Sequence, residues 1–103
     1  MNIPNTIDKI IQYAVYVTEP EEIILFGSIA NGTSDVYSDV DLLIISDSNK
    51  REAISKISNF VYQLSLKTDI LIYSRDEFEK LANQPFSFLK AAQKFGRVVY
   101  KKK

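Results

Sequence analysis

The chain has no cysteine and no histidine, and only three glycines and three prolines among its 103 residues. Each shortage removes something. Without cysteine there is no disulfide framework, no thiolate nucleophile and no zinc–thiolate site. Without histidine there is no serine–histidine triad and no imidazole base. Any catalysis falls to carboxylates, lysine, tyrosine, hydroxyls, backbone amides or a hard metal on oxygen ligands. So little glycine and proline leaves little linker material, and one compact domain over residues 1–103 is expected. Long apolar runs are missing as well. Ile23–Phe26 and Leu42–Ile45 hold four residues each, whereas a membrane helix needs about 20. The opening Met1-Asn2-Ile3-Pro4 lacks the basic and apolar regions of a signal peptide. The expectation is a soluble cytoplasmic protein with no membrane attachment.

An excess of charge of either sign is also absent: 13 Lys and Arg face 13 Asp and Glu. A chain that coats nucleic acid needs clustered cations, so direct nucleic-acid binding is not expected. The charge is uneven, however. Residues 19–52 hold eight acids and two bases, and residues 90–103 hold six bases and no acid. Hydrophobic residues make up 46% of the chain, rich in Ile, Leu, Val, Phe and Tyr, which excludes general disorder.

The periodicities alternate between helix and strand. Residues 5–18 read as a helix with Ile7, Ile10, Ile11, Ala14 and Val15 on one face, capped by Asn5 or Thr6 and ended by Glu19-Pro20-Glu21. Glu22–Phe26 reads as a strand buried on both faces. Gly27–Ser38 reads as a polar loop, and Asp39–Ser46 as the next strand. Asp47-Ser48-Asn49 then caps a helix over 50–66 whose stripe is Ile54, Ile57, Val61 and Leu64. Asp69–Tyr73 is a third strand. Ser74-Arg75-Asp76-Glu77 has the spacing of a capping box and opens a short helix. Pro85 suits the first turn of another helix, with Phe88, Leu89, Ala92 and Phe95 inward and Gly96 as its stop. Arg97–Tyr100 completes the pattern as a short strand. The fold expected is α/β or α+β, with a small mixed sheet flanked by helices.

The chemistry concentrates between Gly27 and Asp41. Gly27-Ser28 follows directly on a buried strand, where a glycine lets the backbone turn sharply and approach a ligand. Amides and the Ser28 hydroxyl at that turn suit phosphate oxygens, although a plain strand-ending turn has the same residues. Asp39 and Asp41 are alternate residues of one strand, so their carboxylates share a face. Cations relieve their repulsion, and carboxylate oxygens suit magnesium. Asp69 begins the third strand after a helix long enough for a crossover. If the two strands are parallel neighbours, Asp69 joins the pair. Three converging carboxylates can hold two magnesium ions, as phosphoryl and nucleotidyl transfer require.

Gly27-Ser28, ten intervening residues and Asp39-Val40-Asp41 together resemble the nucleotidyltransferase motif of the DNA polymerase beta superfamily. Asp69 stands where that superfamily has its third carboxylate. The short length and the Ile29-to-Ser38 run are similar to the minimal nucleotidyltransferases, antitoxin partners of HEPN-domain ribonuclease toxins. The resemblance implies that Gly27 and Ser28 bind the triphosphate, and that Asp39, Asp41 and Asp69 hold two magnesium ions, Asp69 also helping to deprotonate the acceptor. It implies transfer of AMP from ATP to a tyrosine hydroxyl of the toxin, with release of pyrophosphate, in a hetero-oligomer. Many relatives carry arginine after the alanine of Gly-Ser-x-Ala; this chain has Asn31, whose neutral amide cannot neutralise phosphate as a guanidinium does. Two other functions fit the same residues: an inactive antitoxin subunit that neutralises by binding, and a small-molecule nucleotidyltransferase of the aminoglycoside-modifying type. Apolar residues between 78 and 95 (Phe78, Leu81, Phe86, Phe88 and Phe95) either offer a partner surface, as an antitoxin needs, or simply cover the sheet.

Overall fold

The computed structural model describes residues 5–27, 40–64, 68–85 and 87–102. Among the described residues there are four helices and four strands, in the order α1 (Asn5–Thr18), β1 (Glu22–Gly27), β2 (Val40–Ile45), α2 (Lys50–Gln63), β3 (Thr68–Tyr73), α3 (Arg75–Ala82), α4 (Phe88–Phe95) and β4 (Arg97–Lys101). The strands form one sheet in the order β3-β2-β1-β4. β2 and β3 are parallel, joined by the α2 crossover, while β1 is antiparallel to both β2 and β4. The expected mixed sheet is therefore what the chain builds.

Alternation along the strands divides the core into two layers. On one face Ile23, Leu25, Leu42, Ile44 and Ile72 pack against Ile7, Ile10, Ile11 and Ala14 of α1 and Ala53, Ile57 and Val61 of α2. On the other, Ile24, Leu43 and Ile45 pack against Phe78 and Ala82 of α3 and Leu89 and Ala92 of α4. The central strands are thus buried on both sides, which explains why they read as unbroken apolar runs.

Helix boundaries follow local chemistry. Asn49 caps α2, its Oδ1 accepting from the Glu52 amide at 3.0 Å. Ser74 and Glu77 form the reciprocal capping box of α3. α1 ends at Thr18, where Glu19 takes a left-handed φ of 44° ahead of Pro20. Ser46, buried just after β2, donates its hydroxyl to the Thr18 carbonyl at 2.7 Å and so ties α1 to the sheet. Arg75 bridges Glu21 and Glu22 at 2.9 and 3.2 Å, linking the start of α3 to the start of β1.

Four expectations need correction. α2 ends at Gln63, short of residue 66, with Leu64 as its cap. The last helix starts at Phe88 with Ser87 as its N-cap, so Pro85 lies in the preceding turn. Phe78, counted with the candidate partner surface, is buried in the core beneath α3, whereas Phe88 and Phe95, expected inward, are 57% and 68% exposed. An eight-residue helix lying on one strand buries a narrow stripe; Leu89 and Ala92 occupy it, and residues 88 and 95 fall outside. Gly96 does stop α4, but with an ordinary φ of −79°, not a left-handed one. Its reason is space: an added Cβ would come within 2.5 Å of the Ala92 carbonyl oxygen and 2.6 Å of Ile24 Cγ2.

Candidate active site

Register decides which chemical groups meet. In the parallel β2–β3 pair Asp41 is the direct partner of Asp69. In the antiparallel β1–β2 pair Asp41 is the direct partner of Phe26. Asp41 alternates with Leu43 and Ile45, Asp69 with Leu71 and Tyr73, and Phe26 with Ile24, all of which belong to the α3/α4 side of the sheet. Asp69, Asp41 and Phe26 therefore form one row across three strands, on one face, at the end where β2 and β3 begin and β1 finishes. Adjacent strands lie about 4.8 Å apart, so the two carboxylates are close neighbours.

Asp41 is half-buried and Asp69 exposed. Like charges paired directly across a ladder cost stability unless a cation joins them. The donor set is carboxylate oxygen, which suits a hard divalent ion and not a thiophilic one. These two residues fit a magnesium site on their register and chemistry. Asp39 and Ser28 lie outside the described residues. Among the described residues there is no group of three or more potential ligands. Gly27 is the last residue of β1, paired with Val40, and so stands at the same end of the sheet as Asp41 and Asp69.

Two features of this end escape a reading of the sequence. Phe26 is half-buried, and its ring meets that of Phe88 edge-to-face, centroids 5.3 Å apart at 68°. An aromatic pair thus adjoins the carboxylate row, although phenylalanines give no sign in the sequence that distinguishes core from site. Thr68, one residue before Asp69, carries a buried hydroxyl with no hydrogen-bond partner among the described residues. A cleft of about 310 Å³ lined by Glu21, Arg75, Lys101 and Lys102 lies at the opposite end of the sheet, away from the carboxylates.

The structure thus places a carboxylate pair in parallel register at one end of a mixed sheet, beside the strand that ends in Gly27. The sequence profile of the family described as "Nucleotidyltransferase domain" matches residues 7–95, and the chain belongs to that family. A Methanocaldococcus jannaschii protein, provisionally named a protein adenylyltransferase, is 31% identical over 80 residues, covering 78% of each chain. A crystal structure described as a toxin–antitoxin with AMP-PNP superposes with a TM-score of 0.56 at 18% identity, covering 96% of this chain and 73% of that one. At that identity the likeness speaks for the fold alone. No helix among the described residues is long and apolar enough to cross a membrane.

Proposed function

We propose that this nucleotidyltransferase is a protein adenylyltransferase that acts as an antitoxin, transferring AMP from ATP to a tyrosine hydroxyl of a HEPN-domain toxin. The observation that carries the reading is the register of Asp41 with Asp69, two hard-oxygen ligands side by side at one end of the sheet. The similarity to a protein adenylyltransferase points to a protein acceptor, and the structural neighbour is a toxin–antitoxin pair seen with an ATP analogue.

In this reading Asp39, Asp41 and Asp69 hold magnesium, and Gly27 and Ser28 hold the triphosphate. Bound magnesium supplies positive charge to the phosphates, which the acidic stretch from residue 19 to 52 would otherwise repel. The acceptor oxygen forms a bond to the α-phosphorus while the bond from that phosphorus to the α,β-bridging oxygen breaks, and pyrophosphate leaves. Asp69 takes up the hydroxyl proton. In-line displacement demands little of a protein beyond positioning and charge, which a short domain can supply.

The deciding experiment is the intact mass of the partner that co-purifies with the chain, compared for wild type and Asp39→Ala/Asp41→Ala. A partner heavier by one or more AMP units only with wild type is the expected result. An unmodified partner in both would instead favour neutralisation by binding. Turnover of a free hydroxylated small molecule with no partner protein would favour the aminoglycoside-type reading.

A further inference from the structure

We propose that Phe88, set against Phe26, is the stacking platform for the nucleobase of the bound nucleoside triphosphate. The inference rests on the nucleotidyl-transfer reading of Asp41 and Asp69 and adds the subsite that reading lacks.

Phe26 is the direct register partner of Asp41 and stands on the same sheet face. The Phe26–Phe88 pair is therefore contiguous with the carboxylate row: moving from β3 to β1, the groups are Asp69, Asp41, Phe26 and then the Phe88 ring of α4. A nucleotide whose α-phosphate lies at the carboxylates must send its sugar and base to one side. The β1 side offers the aromatic corner. The two rings meet at 68°, forming a corner instead of a flat wall, and Phe88 remains 57% exposed. A purine face fits such a surface, and base–aromatic stacking is favourable for every base.

The other strongly exposed large apolar residues lack this setting. Tyr16 is in α1 and Tyr62 in α2, the helices on the opposite sheet face. Phe95 lies two turns along α4 from Phe88, covered in part by Lys94, whose Nζ is 5.3 Å from its ring centroid. Phe88 alone among them touches a ring registered with a carboxylate of the site.

The platform has a chemical signature. Phenylalanine rings have no hydrogen-bonding groups, so they read the area of a base and not its edge. Loss of Phe88 must then weaken ATP and GTP to the same degree and leave the phosphates untouched.

The test measures dissociation constants by calorimetry, with magnesium present, for ATP, GTP and inorganic tripolyphosphate. The proteins are wild type, Phe88→Ala, Phe88→Tyr and Asp41→Ala. Phe88→Ala is expected to weaken ATP and GTP each by about tenfold and to leave tripolyphosphate unchanged. Phe88→Tyr is expected to restore nucleotide binding. Unchanged ATP binding in Phe88→Ala overturns the proposal, as does an equal loss of ATP and tripolyphosphate, which would mark a general disturbance of the fold. Wild-type protein that binds neither ATP nor tripolyphosphate, or an Asp41→Ala variant that binds both as wild type does, overturns the carboxylate reading instead.

Discussion

Asp41 on β2 and Asp69 on β3 are direct partners in a parallel ladder, 28 positions apart in sequence and adjacent in space. Two carboxylates placed so face each other across the ladder, and a divalent cation between them would offset the repulsion of like charges.

The first prediction concerns that coupling. Magnesium should raise the melting temperature of wild type. In Asp69→Asn the increment should be lost, while the metal-free variant should be at least as stable as metal-free wild type, because a like-charge pair across strands costs up to about 1 kcal/mol. The same variant should lose transfer activity by about a thousandfold or more, since metal charge at the reacting phosphate contributes several kcal/mol. Thermal melts with magnesium or EDTA, and a pyrophosphate-release assay, check both parts.

Thr68 yields a second expectation. Its buried hydroxyl has no partner among the described residues to offset the cost of its desolvation. Thr68→Val retains the shape and removes the oxygen, so it should stabilise the domain by about 1 kcal/mol. Urea unfolding should show a higher midpoint with an unchanged slope.

Gly96 should not tolerate a methyl group. An alanine there meets the Ala92 carbonyl oxygen and Ile24 Cγ2 at distances that no relaxed Cβ shows. Gly96→Ala should destabilise by about 1–3 kcal/mol through overpacking, measured by denaturant titration. The backbone at Gly96 is ordinary, so the cost is one of space and not of conformation.

Glu77 gives a pH signature. The Lys50 ammonium, 2.8 Å away, and the Ser74 amide hold its carboxyl below the usual 4.5. A carboxyl whose folded value is depressed stabilises the native state above its unfolded value, and that contribution disappears as pH falls through the folded value. Wild type should therefore melt higher than Glu77→Gln near neutral pH, and the two should converge as pH drops below 4.5. Glutamine retains the capping box, so the difference isolates the charge. Added salt should narrow it as well, because both partners are exposed.

The sequence by itself determined the element order and the N-terminal caps of α2 and α3. The absence of cysteine and histidine removed thiolate and imidazole chemistry, and Asp41 at the head of its strand shares a face with Leu43 and Ile45 because strand side chains alternate. Ser74 and Glu77 announced the start of α3 because a capping box is local. The inward faces of α1 and α2 were legible because helical periodicity repeats over several turns.

What only the tertiary structure decided was long-range. That Asp69 would join Asp41 was conditional on β2 and β3 being parallel neighbours, and strand partnership depends on hydrogen bonds between residues far apart in the chain. Phe88 and Phe95 were misplaced because an eight-residue helix has too few turns to declare its buried stripe; which side packs is set by where β1 lies beneath it. The same packing brings Phe88 to Phe26 beside the carboxylates, a meeting between α4 and β1 that no local pattern encodes.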